Sequence, residues 1–466
     1  MTRPKVVVVG GGFGGLQVVR QLRRTNANIT LIDRNNYHLF QPLLYQVATG
    51  GLSPANIATP LRSIFRRQKN CNVLLGEVDD FDAEASQLVL SNGRLDFDYL
   101  VVASGSTHSY FGNDEWRAHA PGLKTLADAT EIRRKIYIAL ESAERTDDPD
   151  LRRELMTFII VGGGPTGVEL AGSLAEVTRQ TLKDDFRRIN PGDATILLIE
   201  SSEHVLDFYP EELCKYSESK LADLGVELIN HTRVTDVQES QVTITKNFPE
   251  DVSFEERSRV IRTQTILWAA GVQASGLGPK IAKAYGAEVD RGGRVLVTPT
   301  LNVGTARNVF VIGDLAKFVA GDEPLPGTAP VAIQEGKYVG NRIAGSLKGK
   351  EGDEAFAYRD LGSMATIGRN SAIAWIGGRK FKGVIAWVLW LTIHLMQITQ
   401  FHNRLLVFFQ WVWSYFTYNR AARLITGVNT DEDRLIKKAR INAEDRHSLL
   451  KQVDSVSDAT RIDVGS

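Results

Sequence analysis

Cysteine is nearly absent from this sequence. Among 466 residues there are two, Cys71 and Cys214, too few for a disulfide framework and not arranged as the C-x-x-C of thiol redox chemistry. Neither sign of charge is in excess: 55 Lys and Arg balance 55 Asp and Glu, so nothing points to nucleic acid as a partner. Spanning-length apolar runs are missing too. Val384 to Leu395 is nearly all apolar but stops well short of the roughly 20 residues that cross a bilayer. The opening run, Val6 to Val9, meets glycines at once and is far too short for the core of a secretory signal. The body of the chain is therefore expected on the side of a membrane where it was made, the cytoplasmic one.

What is present is ordinary globular composition, 43% apolar and 24% charged, on a length with room for two or three domains. It is unevenly spread. Of seven tryptophans, five fall between Trp375 and Trp413. After Asn429 the chain turns polar and charged and reads as a flexible, solvated tail.

The run Lys5 to Val9 is continuously apolar and β-branched after its first residue, the mark of a strand buried on both faces. It enters Gly10-Gly11-Gly12-Phe13-Gly14-Gly15 and then a helical stretch from Leu16 to Arg23. Gly10, Gly12 and Gly15 fit G-x-G-x-x-G: a tight turn, a close approach to a pyrophosphate, and close helix–strand packing. The helix N-terminus offers free N–H groups to the phosphates. A second strand, Ile29 to Ile32, ends at Asp33, whose carboxylate suits a ribose hydroxyl; Arg34 follows it.

The same pattern returns with Phe158 to Val161 as strand, Gly162, Gly164 and Gly167 as the glycines, and Val168 to Val177 as helix. Pro165 and Thr166 lie inside this loop, and the next strand, Ile196 to Ile199, ends at Glu200. The gap from Gly167 to Glu200 exceeds the usual ~20 residues, which a lengthened helix and loop over Arg179 to Asp193 would absorb. Ser201 and Ser202 follow Glu200 with no arginine near to meet a 2′-phosphate, so NADH is favoured over NADPH. One glycine fingerprint is weak evidence; two complete strand–loop–helix–strand–acid units are not.

Two dinucleotide sites in one chain suggest FAD held permanently and NADH visiting, the protein orienting cofactors that carry the chemistry. Val78, the strand Tyr99 to Gly105 with Ala103, Ser104 and Gly105 at its end, and Gly313-Asp314 after Val309 to Ile312 are further candidates for FAD. Asp314 could instead cap the following segment. Thr265 to Val272, with Ala270 and Gly271, serves the second site in the same way.

The stretch Asn36-Tyr37-His38-Leu39-Phe40-Gln41-Pro42-Leu43-Leu44-Tyr45-Gln46-Val47-Ala48-Thr49-Gly50, with Trp268 to Val272 and Gly313-Asp314, resembles the type II (non-proton-pumping) NADH:quinone oxidoreductases. The resemblance runs from residue 4 to about 427. It implies non-covalent FAD, NADH as donor, a membrane quinone (ubiquinone or menaquinone) as acceptor, monotopic attachment through the C-terminal region, a homodimer, and no metal. It also implies roles for two residues. Glu169 corresponds to a helix-borne glutamate that handles protons near the nicotinamide and quinone; read alone it is a first-turn acid favoured by the helix dipole. Gln334 corresponds to the glutamine closing the A-Q-x-x-x-Q quinone motif, whose first glutamine is here Pro330, so any contact that side chain makes is lost or re-routed. Arg369 is a weaker candidate for the quinone path.

Val384 to Leu395 and Leu405 to Tyr418 read as two helices, the second with a polar stripe of Gln410, Ser414 and Thr417 on an aromatic cylinder. Basic residues flank the pair: Arg379, Lys380 and Lys382 before it, Arg420 and Arg423 after. This pattern fits helices lying in a membrane interface over residues 384–418, although a buried dimer hairpin would share it.

The expected fold is α/β: two Rossmann-like dinucleotide-binding domains, for FAD and NADH, plus a C-terminal α-helical membrane-attachment region. The expected bounds are 1–120 and a return segment 300–345 for FAD, 121–299 for NADH, 346–428 for attachment and 429–466 for the tail. A disulfide or sulfide:quinone reductase would need paired cysteines that the sequence lacks. A reductase serving a soluble protein acceptor would not need the aromatic segment. The remaining rival is a membrane-tethered, NADH-sensing flavoprotein of the apoptosis-inducing-factor type with little quinone turnover.

Overall fold

The computed structural model describes residues 3–247, 257–321, 323–350, 352, 354–420 and 422–426. The expected tail, 429–466, lies outside the described residues.

The chain lays down β1 (Lys5–Val9), α1 (Phe13–Gln21) and β2 (Asn28–Asp33), then α2 (Leu44–Ala48), α3 (Leu61–Phe65), β3 (Cys71–Leu75) and β4 (Tyr99–Val102). A helix of 20 residues, α4 (Leu126–Arg145), leads to the second unit. There β5 (Thr157–Val161), α5 (Pro165–Glu176), β6 (Thr195–Ile199), β7 (Val226–Ile229) and β8 (Thr265–Trp268) follow. The chain then returns with β9 (Val309–Val311) and α6 (Ala329–Ser346).

Every pairing in both main sheets is parallel. The first sheet runs β9-β4-β1-β2-β3 and the second β7-β6-β5-β8. The two therefore share one strand order, the open α/β arrangement that places ligands at the strands' carboxyl ends. The β-branched runs explain the burial: Val6 to Val9 and all of β5 are buried, as strands covered on both faces must be. Both helices begin earlier than the apolar periodicity suggested, at Phe13 and Pro165, because Gly12 and Gly164 form their N-caps. Proline at the first helical position costs no hydrogen bond. The extra residues between Gly167 and Glu200 are spent as expected, in a π-helical turn (Val177–Thr181) and an irregular stretch ending in a 3-10 turn (Pro191–Asp193).

Past residue 360 the chain is less purely helical than expected. An antiparallel sheet, β10 (Ser363–Gly368), β11 (Ser371–Ile376) and β12 (Arg379–Lys382), packs on α5 before α7 (Val384–Gln397) and α8 (Phe401–Thr417) begin. The packing is close enough that a Cβ on Gly172 of α5 would strike the Ile367 carbonyl oxygen. Among the described residues no helix is long and apolar enough to cross a membrane.

Helix α8 is turned inside out relative to a water-soluble helix. Its inward face is Asn403, Val407, Trp411 and part of Ser414, and Asn403 reaches Thr59 Oγ1 and the Ala55 carbonyl oxygen. Its aromatic residues face outward: Phe401 is 71% exposed, Trp413 64% and Phe416 76%.

Candidate active site

The two nucleotide turns leave their strands with the same backbone. Gly10 and Gly162 each adopt φ of +103°, a left-handed value that a side chain resists. A Cβ on Gly10 would strike the Ala103 carbonyl, and one on Gly162 would lie 2.7 Å from the Ala270 amide. Gly15 and Gly167 close the loops, each so near the carbonyl oxygen of Gly10 or Gly162 that no Cβ fits. Beside the N-caps Gly12 and Gly164 the space is open, so an anion can approach the helix amides.

The acids at the ends of β2 and β6 complete the match. Asp33 Oδ2 accepts from Gly11 N at 2.6 Å, and Glu200 Oε2 accepts from Gly163 N at 2.5 Å. Their other oxygens accept from Asn35 N and Ser202 N. Both carboxylates are thus held in place, with lone pairs left for a ribose. Burial pushes the Asp33 carboxyl upward in pKa, and the amides of Asn35 and Gly11 oppose it.

The first turn opens on a cavity of about 1150 Å³. Gly10, Gly12, Phe13, Gly14, Asp33, Arg34, Val78, Ala103, Ser104, Gly105, Gly313 and Asp314 all line it, whereas Gly15 is spent on packing. Of the second-turn candidates only Thr166 reaches this cavity; Gly162, Gly164, Pro165, Gly167, Glu200, Ala270 and Gly271 lie outside its walls. Asp314 is not a cap, since the turn Gly313–Leu315 is entered from Ile312. Its carboxylate accepts from Ser106 Oγ at 2.6 Å, with Lys124 Nζ 3.9 Å away. Sequence reasoning missed Ser106, Lys124 and Ser275, whose hydroxyl meets that of Ser104 at 2.6 Å. It also missed Glu335, which is buried and accepts from Gly313 N at 2.5 Å; burial pushes its carboxyl up to about 8.

A second cavity, of about 480 Å³, lies one helical turn away. Thr166 borders the first cavity and Glu169 the second; likewise Gln41 and Pro42 border the first, and Tyr45 and Gln46 the second. Apolar side chains of α7 and α8, among them Trp387, Leu391, Phe408 and Val412, form its outer wall. Part of Glu169 faces the cavity, but protein crowds its carboxyl and burial pushes the pKa up to about 8. The Thr366 amide, 3.4 Å from Oε1, and the Trp390 indole pull the other way. That indole N–H is buried, approaches the Glu169 carboxyl without completing a hydrogen bond, and has no other partner among the described residues. A relay runs beside it: Trp411 Nε1 donates to Gln46 Oε1 at 2.8 Å, and Gln46 Nε2 donates to Tyr45 Oη at 3.0 Å.

Gln334 is not brought to either cavity, contrary to the expectation. Its side-chain amide exchanges two hydrogen bonds with the Arg359 backbone, at 2.9 and 3.0 Å. The reason is helical phase: Ala332 faces the first cavity, and two residues on, the helix has rotated by about 200°. Arg369 does line the second cavity, but its guanidinium is committed to the Ser414 and Tyr415 carbonyl oxygens at the end of α8 and stacks on Tyr418 at 3.7 Å. The expected basic flanks are also largely spoken for. Lys380 and Lys382 pair with Glu212, and Arg423 pairs with Asp185. Arg420 is buried against Glu176, Ser173 and Thr49.

Known proteins resemble this chain along most of its length. The profile of the pyridine nucleotide-disulphide oxidoreductase family matches residues 4–336, and that of the NDH2 C-terminal domain matches residues 361–418. A type II NADH:quinone oxidoreductase of Mycobacterium tuberculosis is 41% identical over 430 residues, covering 91% of this chain and 90% of that protein. One from Staphylococcus aureus is 31% identical over 390 residues, covering 82% and 92%. In fold, the chain resembles Plasmodium falciparum NDH2 in complex with NADH, with a TM-score of 0.79 at 19% identity, covering 91% of this chain and all of that one. The sulfide:quinone oxidoreductase of Aquifex aeolicus shares the fold at a TM-score of 0.67 and 16% identity, covering 93% and 95%.

Proposed function

The chain belongs to the type II NADH:quinone oxidoreductase family, and from that premise we propose that it oxidises NADH and reduces a membrane quinone to quinol without pumping protons. The net reaction is NADH + H⁺ + quinone → NAD⁺ + quinol, so one proton must come from solvent. The observation that carries this reading is the junction of the two cavities, where single short segments border a polar nucleotide cavity at one end and an apolar pocket at the other.

The first cavity fits a non-covalently held FAD: its turn leaves no room for a Cβ at Gly10 or Gly15 but open space at Gly12 before the α1 amides, and its wall carries Ser104, Ser106 and Asp314. When bound, FAD supplies the hydride acceptor for NADH and the two-electron donor for the quinone. Asp33 would hold its adenosine ribose and Asp314 a ribityl hydroxyl. The turn Gly162–Gly167 would hold the NADH pyrophosphate and Glu200 its ribose; Ser201 and Ser202 offer no cation to a 2′-phosphate. Residues 1–120 and 300–345 would serve FAD and most of 121–299 NADH. The return to the first unit begins earlier than residue 300, because Ala274, Ile281, Ala282 and Val295 pack in one core with Val7, Val9 and Val309, and Ser275 lines the first cavity.

Quinone would enter the second cavity between α7 and α8. With its pKa raised to about 8, Glu169 holds a proton at neutral pH and can pass it to a quinone oxygen. The unpaired indole N–H of Trp390 gives that oxygen a donor at no cost of breaking another bond. Attachment to a membrane surface is supported by the outward apolar faces of α7, with Val384, Ile385, Val388 and Met396 exposed, and of α8, with Phe401, Phe409, Trp413 and Phe416 exposed; the cytoplasmic side is the expectation from the sequence. Each large side chain entering lipid contributes roughly 1.5–3 kcal/mol before discounting for partial burial. Homodimeric assembly rests on the family resemblance alone.

The test is stopped-flow mixing of the purified flavoprotein with NADH or NADPH, followed by a short-chain quinone. Rapid bleaching by NADH, little by NADPH, and rapid return of colour with quinone are expected. Bleaching without return would favour the NADH-sensing reading, and a colourless protein would end the proposal.

A further inference from the structure

Between Arg3 and Gly76 the sequence carries ten lysines and arginines and a single carboxylate, Asp33. That carboxylate is committed to the amides of Gly11 and Asn35 on the cofactor side. Six of the cations, Arg23, Arg24, Arg62, Arg66, Arg67 and Lys69, are exposed and have no carboxylate partner among the described residues. They form one surface. Gln68 Nε2 donates to the Val19 carbonyl oxygen and Asn70 Nδ2 to that of Leu22, so the turn after α3 lies along the end of α1.

This surface adjoins the outward apolar helices. Gln400 Nε2, at the N-cap of α8, donates to Ser63 Oγ of α3 at 3.0 Å, and Asn403 of α8 reaches Thr59 just before α3. Arg62 adjoins Ser63 in the chain and Phe401 adjoins Gln400, so these bonds bring the basic helix α3 to the start of α8, whose exposed face carries Phe401, Leu405 and Leu406. Of the cations that the sequence pattern assigned to this task, Lys380, Lys382, Arg420 and Arg423 already have carboxylate partners, and only Arg379 is exposed with none among the described residues.

We propose that the basic surface of α3 and the end of α1, continuous with the apolar face of α8, is a docking site for the anionic headgroups of a bilayer. It rests on the reading that α7 and α8 enter lipid, and it adds which lipid the protein selects and which residues select it. Unpaired cations beside an apolar face match a surface whose charges sit just above its hydrocarbon. An acidic soluble protein would match the charges but not the apolar neighbour. Each cation brought to an anionic leaflet contributes about fivefold in affinity, and the attraction fades within a Debye length as salt rises.

The test is flotation of the full-length flavoprotein with vesicles of phosphatidylcholine alone or with added phosphatidylglycerol, at low and high salt. Wild type should prefer the anionic vesicles, and salt should remove the preference. The triple variant Arg62→Gln, Arg66→Gln, Arg67→Gln should lose of the order of a hundredfold in affinity for anionic vesicles. It should bind neutral vesicles as before, keep its bound flavin and retain NADH oxidation with a water-soluble quinone. Lys380→Gln with Lys382→Gln should change little. Equal binding of wild type to both vesicles, or an unchanged triple variant, overturns the proposal and leaves lipid attachment standing. Equal losses in the triple and the lysine variants also overturn it. If wild type binds neither vesicle, the attachment reading itself has failed.

Discussion

The turns Gly10–Gly15 and Gly162–Gly167 share their backbone angles, their close contacts and the acid that closes them, yet the helices they start are used differently. Two residues past the third glycine the first helix carries Gln17 and the second Glu169. Helix α1 is covered by α6, which approaches so closely that a Cβ on Gly336 would strike the Gly14 carbonyl oxygen. Helix α5 is covered by β10 and, at Glu169, by the apolar cavity. Nucleotide binding depends on backbone, so the chain could use the same turn twice. The redox chemistry depends on what is packed over the helix, and there the halves part.

The sharpest way to break this comparison is to damage the two turns alike. Gly15→Val and Gly167→Val create the same clash. The first should yield protein without flavin. The second should stay yellow but lose at least about a hundredfold in reduction by NADH, the scale set by a displacement of about 1 Å. Loss of flavin from both would show that the turns do not serve separate nucleotides.

Next in size is Glu169→Gln, expected to slow reoxidation by quinone by about a hundredfold while the rate of reduction by NADH stays within about twofold. Adding Gln17→Glu, the equivalent position in the other half, should restore nothing, because Gln17 borders neither of the two cavities described. Equal slowing of both half-reactions would remove Glu169 from proton handling.

The same residue fixes a pH dependence. The folded chain keeps the Glu169 proton from the ordinary carboxyl value of 4.5 up to about 8, where the unfolded chain has lost it. Stability is therefore highest at the acid end of that window and falls as pH rises through it. Glu169→Gln should lack this contribution, gaining on wild type in thermal midpoint up to about pH 8 and then levelling. Quinone reduction in wild type should decline through the same upper limit. A flat difference between the two melting curves would contradict the assignment.

Smaller effects separate the cofactor halves. Ser202→Arg should improve NADPH against NADH by about tenfold in kcat/KM, the worth of one charge-assisted hydrogen bond. Trp390→Phe should raise the quinone KM by about fivefold with no change in reduction by NADH. A changed NADH step would mean that the indole acts through packing.

Both nucleotide units could be read from the chain because their requirements are local. A β-branched run, three glycines at fixed spacing and a terminal acid are all met within some forty residues, and each was found where the pattern placed it. The wall of the first cavity was partly legible, at Gly313-Asp314. Ser106, Lys124 and Ser275 were not, nor was Glu335 behind Gly313, since nothing near them in sequence shows that they converge. Gln334 was misplaced for a related reason: a motif gives the spacing along a helix but not the angle at which the helix is set down.

The sequence by itself determined the two α/β units and the presence of two apolar helices near its end. Tertiary structure alone decided that Glu169 and Trp390 share a pocket, that Gln334 does not join them, and which cations are left unpaired beside α8. The physical reason is range. Backbone turns and strand burial follow from neighbouring residues, whereas a carboxyl's pKa and a cation's freedom depend on groups hundreds of residues away.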